Sequence, residues 1–181
     1  MARAWCGRIG WDASVEATCI PAMAKEQPSE EDIAHWHRWF GSQSNNRGWA
    51  LAEQALLGDV QRRELLFVAY AAAHHWSQVG TAVHAARAEL LLTRAHALNG
   101  HGELAMHYAR TAFDFITGHE SEAWELAFAH AGIAEAAAAQ GEVAVHRNFY
   151  ASAKALGDAL PDEGDRSVFF ASFARLPVPR P

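Results

Sequence analysis

The sequence predicts an all-α protein of about three stacked antiparallel helical hairpins, closed by a short C-terminal helix. Three observations carry this expectation. From Ile33 onward apolar residues recur at helical spacing, and no stretch alternates in the manner of a strand. Short breaks at Gly58-Asp59, Gly80-Thr81, Gly100-His101-Gly102, Gly118, Gly141 and Leu160-Pro161 divide this text into segments of helix length. Finally, Gly58, Gly100 and Gly141 each fall between two long segments, at separations of 42 and 41 residues.

Residues 1–28 lack sustained periodicity and are expected to be a poorly ordered leader, or an over-long reading frame with Met23 close to the true start. Pro28-Ser29-Glu30-Glu31 then marks a helix start, with Ser29 as cap and Glu30, Glu31 and Asp32 at the positive end of the helix dipole. The breaks predict helices over 30–57, 60–78, 82–99, 103–117, 121–140, 143–159 and 163–175, with Asp59, Thr81 and Ser121 as further caps. The helical domain thus spans 29–176. The tail 177–181 is Pro-rich and cannot continue a helix, because proline lacks the amide donor and clashes with the preceding turn.

The third helix argues for stacking independently of the glycines. On a helical wheel Val83, Ala86, Leu90 and Ala97 form one apolar side, and Ala88, Leu92 and Ala95 a second, opposite one. Two apolar sides require two packed neighbours. Polar stripes separate them, one with His84, Arg87 and Arg94, the other with Glu89, Thr93 and His96. The last helix, with Phe169, Phe170 and Phe173, is expected to cover the open end of the array, a role that stacked repeats require. Phenylalanines left exposed there would instead make a homodimer the expected state.

Composition excludes several function classes. The chain has 181 residues, half of them hydrophobic and a fifth charged, which is ordinary globular composition for one domain or one short array. Its net charge is −6 and its basic residues are scattered, so nucleic acid is not an expected partner. Cys6 and Cys19 do not make a disulfide framework, and the first residues lack the apolar run of a signal peptide; the cytoplasm is the expected compartment. The longest apolar stretch, Leu65 to Ala73, is far short of the roughly 20 residues that span a bilayer.

Eleven histidines invite a metal reading, but ligands on one helix face stand three or four residues apart, and no two histidines here do. No intra-helical metal site is expected; a site assembled between helices would draw on His75, His84 and Glu89. Glu31/His35, Glu103/His107 and Glu142/His146 stand four apart and read as helix-surface pairs worth roughly 0.2–0.5 kcal/mol. There is no phosphate-binding loop, dinucleotide fingerprint, nucleophile elbow or CxxC motif, so no cofactor and no catalytic residue is expected.

The informative polar residues lie on the first three helices. If the first helix runs unbroken, Gln43 and Arg47 share an arc with Ile33, Trp36, Phe40 and Leu51, so Arg47 should be partly buried and paired, either in a structural salt bridge, with Glu89 as partner and amide support from Asn45 and Asn46, or with a ligand carboxylate. The functional form of this reading is a groove floored by Asn46, Arg47, His75, Arg87 and Arg94, bordered by Asn45, Trp76 and Glu89, and suited to an acidic peptide. Trp36, Trp39, Trp49, Trp76 and Trp124 are expected in the core.

Around Gly100, Leu92 lies eight before, Ala105 five after and Ala112 twelve after; Ile133 and Ala153 take the first and last of those places around Gly141. Small residues at these places let paired helices approach, as in tetratricopeptide repeats, although the period exceeds their standard of about 34. His146 and Tyr70 replace small residues of the pattern. With HWHRWFGSQSNNRGW (35–49), AAAHHWSQVGT (71–81), ARAELLLTRAHALNGHGELAMHYAR (85–110) and WELAFAHAGIAEAAAAQG (124–141), the chain resembles small bacterial tetratricopeptide-like proteins of uncharacterised function over about 30–175. The resemblance implies a fold and no activity. The function expected from these readings is a protein- or peptide-interaction module using the concave face of the array. Its rival is a small-molecule or metal-binding protein, either a binder alone or an enzyme, with a polar pocket near Asn46, Arg47, His75 and Glu89.

Overall fold

A computed structural model describes residues 27–180; of the expected leader only Gln27 and Pro28 fall among the described residues, exposed and non-helical. Seven helices and no strand occur among the described residues: α1 (Glu30–Ala52), α2 (Asp59–Val79), α3 (Ala82–Leu98), α4 (Gly102–Gly118), α5 (Ala123–Gln140), α6 (Val143–Asp158) and α7 (Glu163–Phe173). None of them is long and apolar enough to cross a membrane.

The helix starts follow local chemistry. Ser29 Oγ accepts from the Asp32 backbone N–H, and the Asp32 carboxylate accepts from the Ser29 N–H, a reciprocal capping box that opens α1. Two expected caps are displaced by one residue: Gly58 and Glu122, not Asp59 and Ser121, hold the N-cap positions of α2 and α5. Ser121 instead donates its hydroxyl to the Ile116 carbonyl and closes the preceding turn. Gly100 and Gly141 adopt φ of 73° and 78°, the left-handed region in which a side chain is strained. Gly58 is extended, so only two of the three periodic glycines terminate helices in this way. The first helix also ends five residues earlier than the expected 57. Leu57 turns inward onto the core formed by Leu51, Leu65 and Leu91, and Arg62 donates to the Leu57 and Leu98 carbonyls, fixing the turn.

Consecutive helices pair as hairpins α1–α2, α3–α4 and α5–α6, and each second helix also packs on the first helix of the next hairpin. The odd-numbered helices touch directly, α1 on α3 and α3 on α5, which makes theirs the more tightly spaced layer. The double apolar character of α3 is thereby explained: it contacts α1, α2, α4 and α5, and Leu90 through His96 are all buried. Small residues set the spacing. A Cβ on Gly48 of α1 would stand 2.6 Å from Leu91 Cδ2, and Leu91 is fully buried. Gly48→Ala is therefore expected to lower stability by about 1–3 kcal/mol in chemical denaturation, through overpacking at the α1–α3 crossing.

The helix α7 packs on α5 and α6 with Phe169 and Phe173 buried, so the condition set for a dimer through exposed phenylalanines is not met. The tail is held as well. His146 Nε2 is 2.9 Å from the Pro177 carbonyl, and Arg147 donates to the Arg180 carbonyl. The other misfit of the repeat, Tyr70, places its hydroxyl 2.9 Å from His96 Nε2 and 3.4 Å from the Tyr108 hydroxyl. Both oddities in the spacing are thus tertiary contacts.

Candidate binding groove

The helix α7 packs on α5 and α6 and reaches α3 through Arg94, which donates to the Ser172 carbonyl. Phe169, Phe173 and Leu176 cluster with Ala127, Ala131 and Ala134 of α5, and the Phe169 ring meets Phe128 edge-on at 5.2 Å. Beneath it runs a narrow cleft containing Arg94 and Glu135, whose guanidinium and carboxylate stand 3.1 Å apart at 2% and 6% side-chain exposure. Arg94 also donates to the carbonyls of Ala52 and Ser172, so one side chain ties α1, α3, α5 and α7 together. Burial pushes the Glu135 carboxyl above its ordinary range, and the adjacent Arg94 pulls against that shift.

Beside α7 the same face opens into a cavity of about 390 Å³. Trp49, Leu90, Trp124, Phe128 and Val168 give it apolar walls, while Asn45, Glu53, Arg87 and Asp165 supply its polar atoms. Four helices contribute: α1, α3, α5 and α7. Arg87 is fixed, donating its Nε–H to Glu125 Oε1 at 2.7 Å with its guanidinium carbon 4.8 Å from the centre of the Trp124 ring. Glu125 is itself held, since its other oxygen accepts the Glu122 N–H at 2.9 Å. The cavity therefore offers aromatic and aliphatic surface with an immobilised cation and two carboxylates at its edge, a combination that recognises shape and charge.

Three of the eight residues expected at a site reach this inner face: Asn45 and Arg87 line the cavity, and Arg94 lies in the cleft under α7. The others do not join them. Arg47 is not buried: its side chain is 50% exposed and pairs with Glu64 of α2 at 2.7 Å, not with Glu89. The hydrogen bond holds Arg47 above and Glu64 below their ordinary pKa values. The arc shared with Ile33, Trp36 and Phe40 fails because, among the described residues, no third helix lies over that end of α1; those three residues and Trp39 are exposed, so of the five tryptophans expected in the core two are exposed and Trp49, Trp76 and Trp124 are only partly buried. Asn46 is exposed. Trp76 packs against Gly41 and stacks on His84 with ring centres 4.5 Å apart. Glu89 is half-buried and raised by that burial, with His107 acting against the shift, which places it toward α4.

The inter-helical trio of His75, His84 and Glu89 does not assemble, since His84 serves Thr81 at the start of α3. The histidines that do converge are His37, His74 and His75, whose ring nitrogens all lie within 4.8 Å of one another. His37 comes from α1 and the other two from α2, so no spacing rule within a helix could have found them. The cavity walls were missed for a related reason. Trp49 and Trp124 look like core residues along the chain, and only the stacking of α1, α3 and α5 turns one flank of each toward an opening. No family model matches this chain, and no curated protein and no solved structure is found to be similar to it.

Proposed function

We propose that this protein is a peptide-interaction module, an irregular tetratricopeptide-like array whose odd-numbered layer receives a segment of a partner protein with one apolar side chain anchored in the cavity between Trp49, Leu90, Trp124 and Phe128. The observation that carries this reading is that α7 borders the cavity through Asp165 and Val168 while seating Phe169 and Phe173 on α5 and α6, so that one amphipathic helix already docks beside the opening. The cavity continues that surface without an occupant from the described residues.

An acidic partner was the expectation from sequence, and charge pairing argues for a different one. Each arginine that was to attract it has a carboxylate of its own: Glu64 for Arg47, Glu125 for Arg87 and Glu135 for Arg94. What the cavity edge adds is Glu53 and Asp165. The partner that fits is an aromatic or branched aliphatic anchor with a Lys or Arg close by in sequence. The rival pocket near Asn46, Arg47, His75 and Glu89 has lost its support, because these residues face different neighbours.

Selection of displayed random peptides on the full chain tests this. The enriched sequences should share the anchor and its basic neighbour, and Trp124→Ala should weaken their binding by roughly 2 kcal/mol, a factor of about 30, with its circular dichroism unchanged. Peptides that bind Trp124→Ala equally well, or the failure of any sequence to enrich, would sink the proposal.

A further inference from the structure

We propose that His37, His74 and His75 form a binding site for one divalent transition-metal ion, with zinc as the physiological fit, in which the chain supplies three imidazole nitrogens and leaves a coordination position open to water or an outside donor. The site arises from the way α1 and α2 approach. Gly41 lacks a side chain where Trp76 lies against α1, and a Cβ there would stand 3.0 Å from the indole. One turn before Gly41 on the same face is His37; immediately before Trp76 are His74 and His75. The tight contact at Gly41 thus brings two α2 rings to one α1 ring, with centres 6.0 and 5.0 Å away.

Distances suit the ion. Zinc binds imidazole nitrogen at about 2.0–2.1 Å, so tetrahedral ligands stand about 3.3 Å from one another. His37 Nδ1 and His75 Nδ1 are already 3.0 Å apart, and all three rings have a nitrogen within 4.8 Å of the others. His74 is exposed and can close the remaining gap by a small side-chain rotation, whereas His75 is held by Phe40, whose ring stacks on it at 5.4 Å. One preset pair and one adjustable arm make a site that forms on binding.

Donor chemistry selects the metal. The three ligands are neutral nitrogens with no carboxylate among them, a set that favours zinc, copper, nickel or cobalt over magnesium and calcium. Imidazole coordinates only when unprotonated.

The test uses the untagged full chain, stripped with a chelator and titrated with zinc and cobalt. One zinc should bind per chain at this site, and cobalt should give the visible absorption of a tetrahedral nitrogen-ligated ion that zinc then abolishes. His37→Gln and His75→Gln should each weaken zinc binding by at least about tenfold, since even an indirect supporting contact commonly contributes that much. His119→Gln, at an exposed position on the other side of the sequence, serves as control and should leave binding unchanged. Circular dichroism establishes that each variant is folded. Absence of saturable zinc binding, or binding that survives intact in the His37→Gln/His75→Gln double variant, overturns the assignment.

Discussion

Arg94→Leu should lower the stability of this protein by about 3–5 kcal/mol, because it removes one partner of a buried ion pair and leaves the other without compensation. Arg94 is 2% exposed, 3.1 Å from Glu135, and bonded to carbonyls of α1 and α7. Its loss strands a carboxylate and two acceptors between helices. The pH dependence has a definite sign. Burial already raises Glu135 above its unfolded value of 4.5, so the folded chain binds this proton more tightly than the unfolded chain, and the contribution to stability declines as pH rises from that value through the folded one. Without Arg94 the folded value climbs further and the window widens. Urea unfolding of Arg94→Leu should therefore show a larger deficit at pH 8 than at pH 5. The double variant Arg94→Met/Glu135→Leu should regain most of the loss, since apolar residues of similar volume replace such pairs at little penalty. A pH-independent deficit below about 1 kcal/mol would show that the pair does not hold the four helices together.

Phe169→Ala should weaken the fold by a similar amount, about 3–5 kcal/mol, and the damage should concentrate in α7. Phe169 is fully buried, stacked with Phe173 at 5.3 Å, and set against Phe128 and Phe170. It also lies directly over α6: a Cβ on Gly157 would come within 2.2 Å of its ring, so the glycine is what allows the phenylalanine to reach the interior. A helix of 11 residues is marginal by itself, and α7 persists through this side-chain packing. Hydrogen exchange should accordingly report lost protection across 163–173, with α1 to α4 near their original levels. Uniform loss across all seven helices would instead make α7 part of a single cooperative unit with the hairpins.

Helix periodicity, the glycine breaks and the two-sided apolar pattern of α3 were sufficient to foretell seven helices with near-correct limits and a central, doubly packed third helix. These are local or nearest-neighbour properties: 3.6-residue spacing, caps, and the left-handed turns at Gly100 and Gly141. Where the reading along the chain failed, a distant residue decided. The first helix stops at Ala52 because Leu57 finds core and Arg62 finds carbonyls. Arg47 stays exposed because Glu64 is across the hairpin and, among the described residues, no third helix covers that arc.

The binding surfaces divide in the same way. By itself the sequence determined that the chain is helical, that its hairpins must stack, and that Asn45, Arg87 and Arg94 are polar groups on helices otherwise bound for packing. Only the tertiary structure decided which faces meet: the cavity between α1, α3, α5 and α7, the pairing of Arg94 with Glu135, and the meeting of His37 with His74 and His75. The physical reason is that a helix fixes the angles among its own side chains, while the partners across an interface depend on crossing distances set by small residues such as Gly41, Gly48 and Gly157. Those distances are properties of pairs of helices, and no single stretch of sequence contains them.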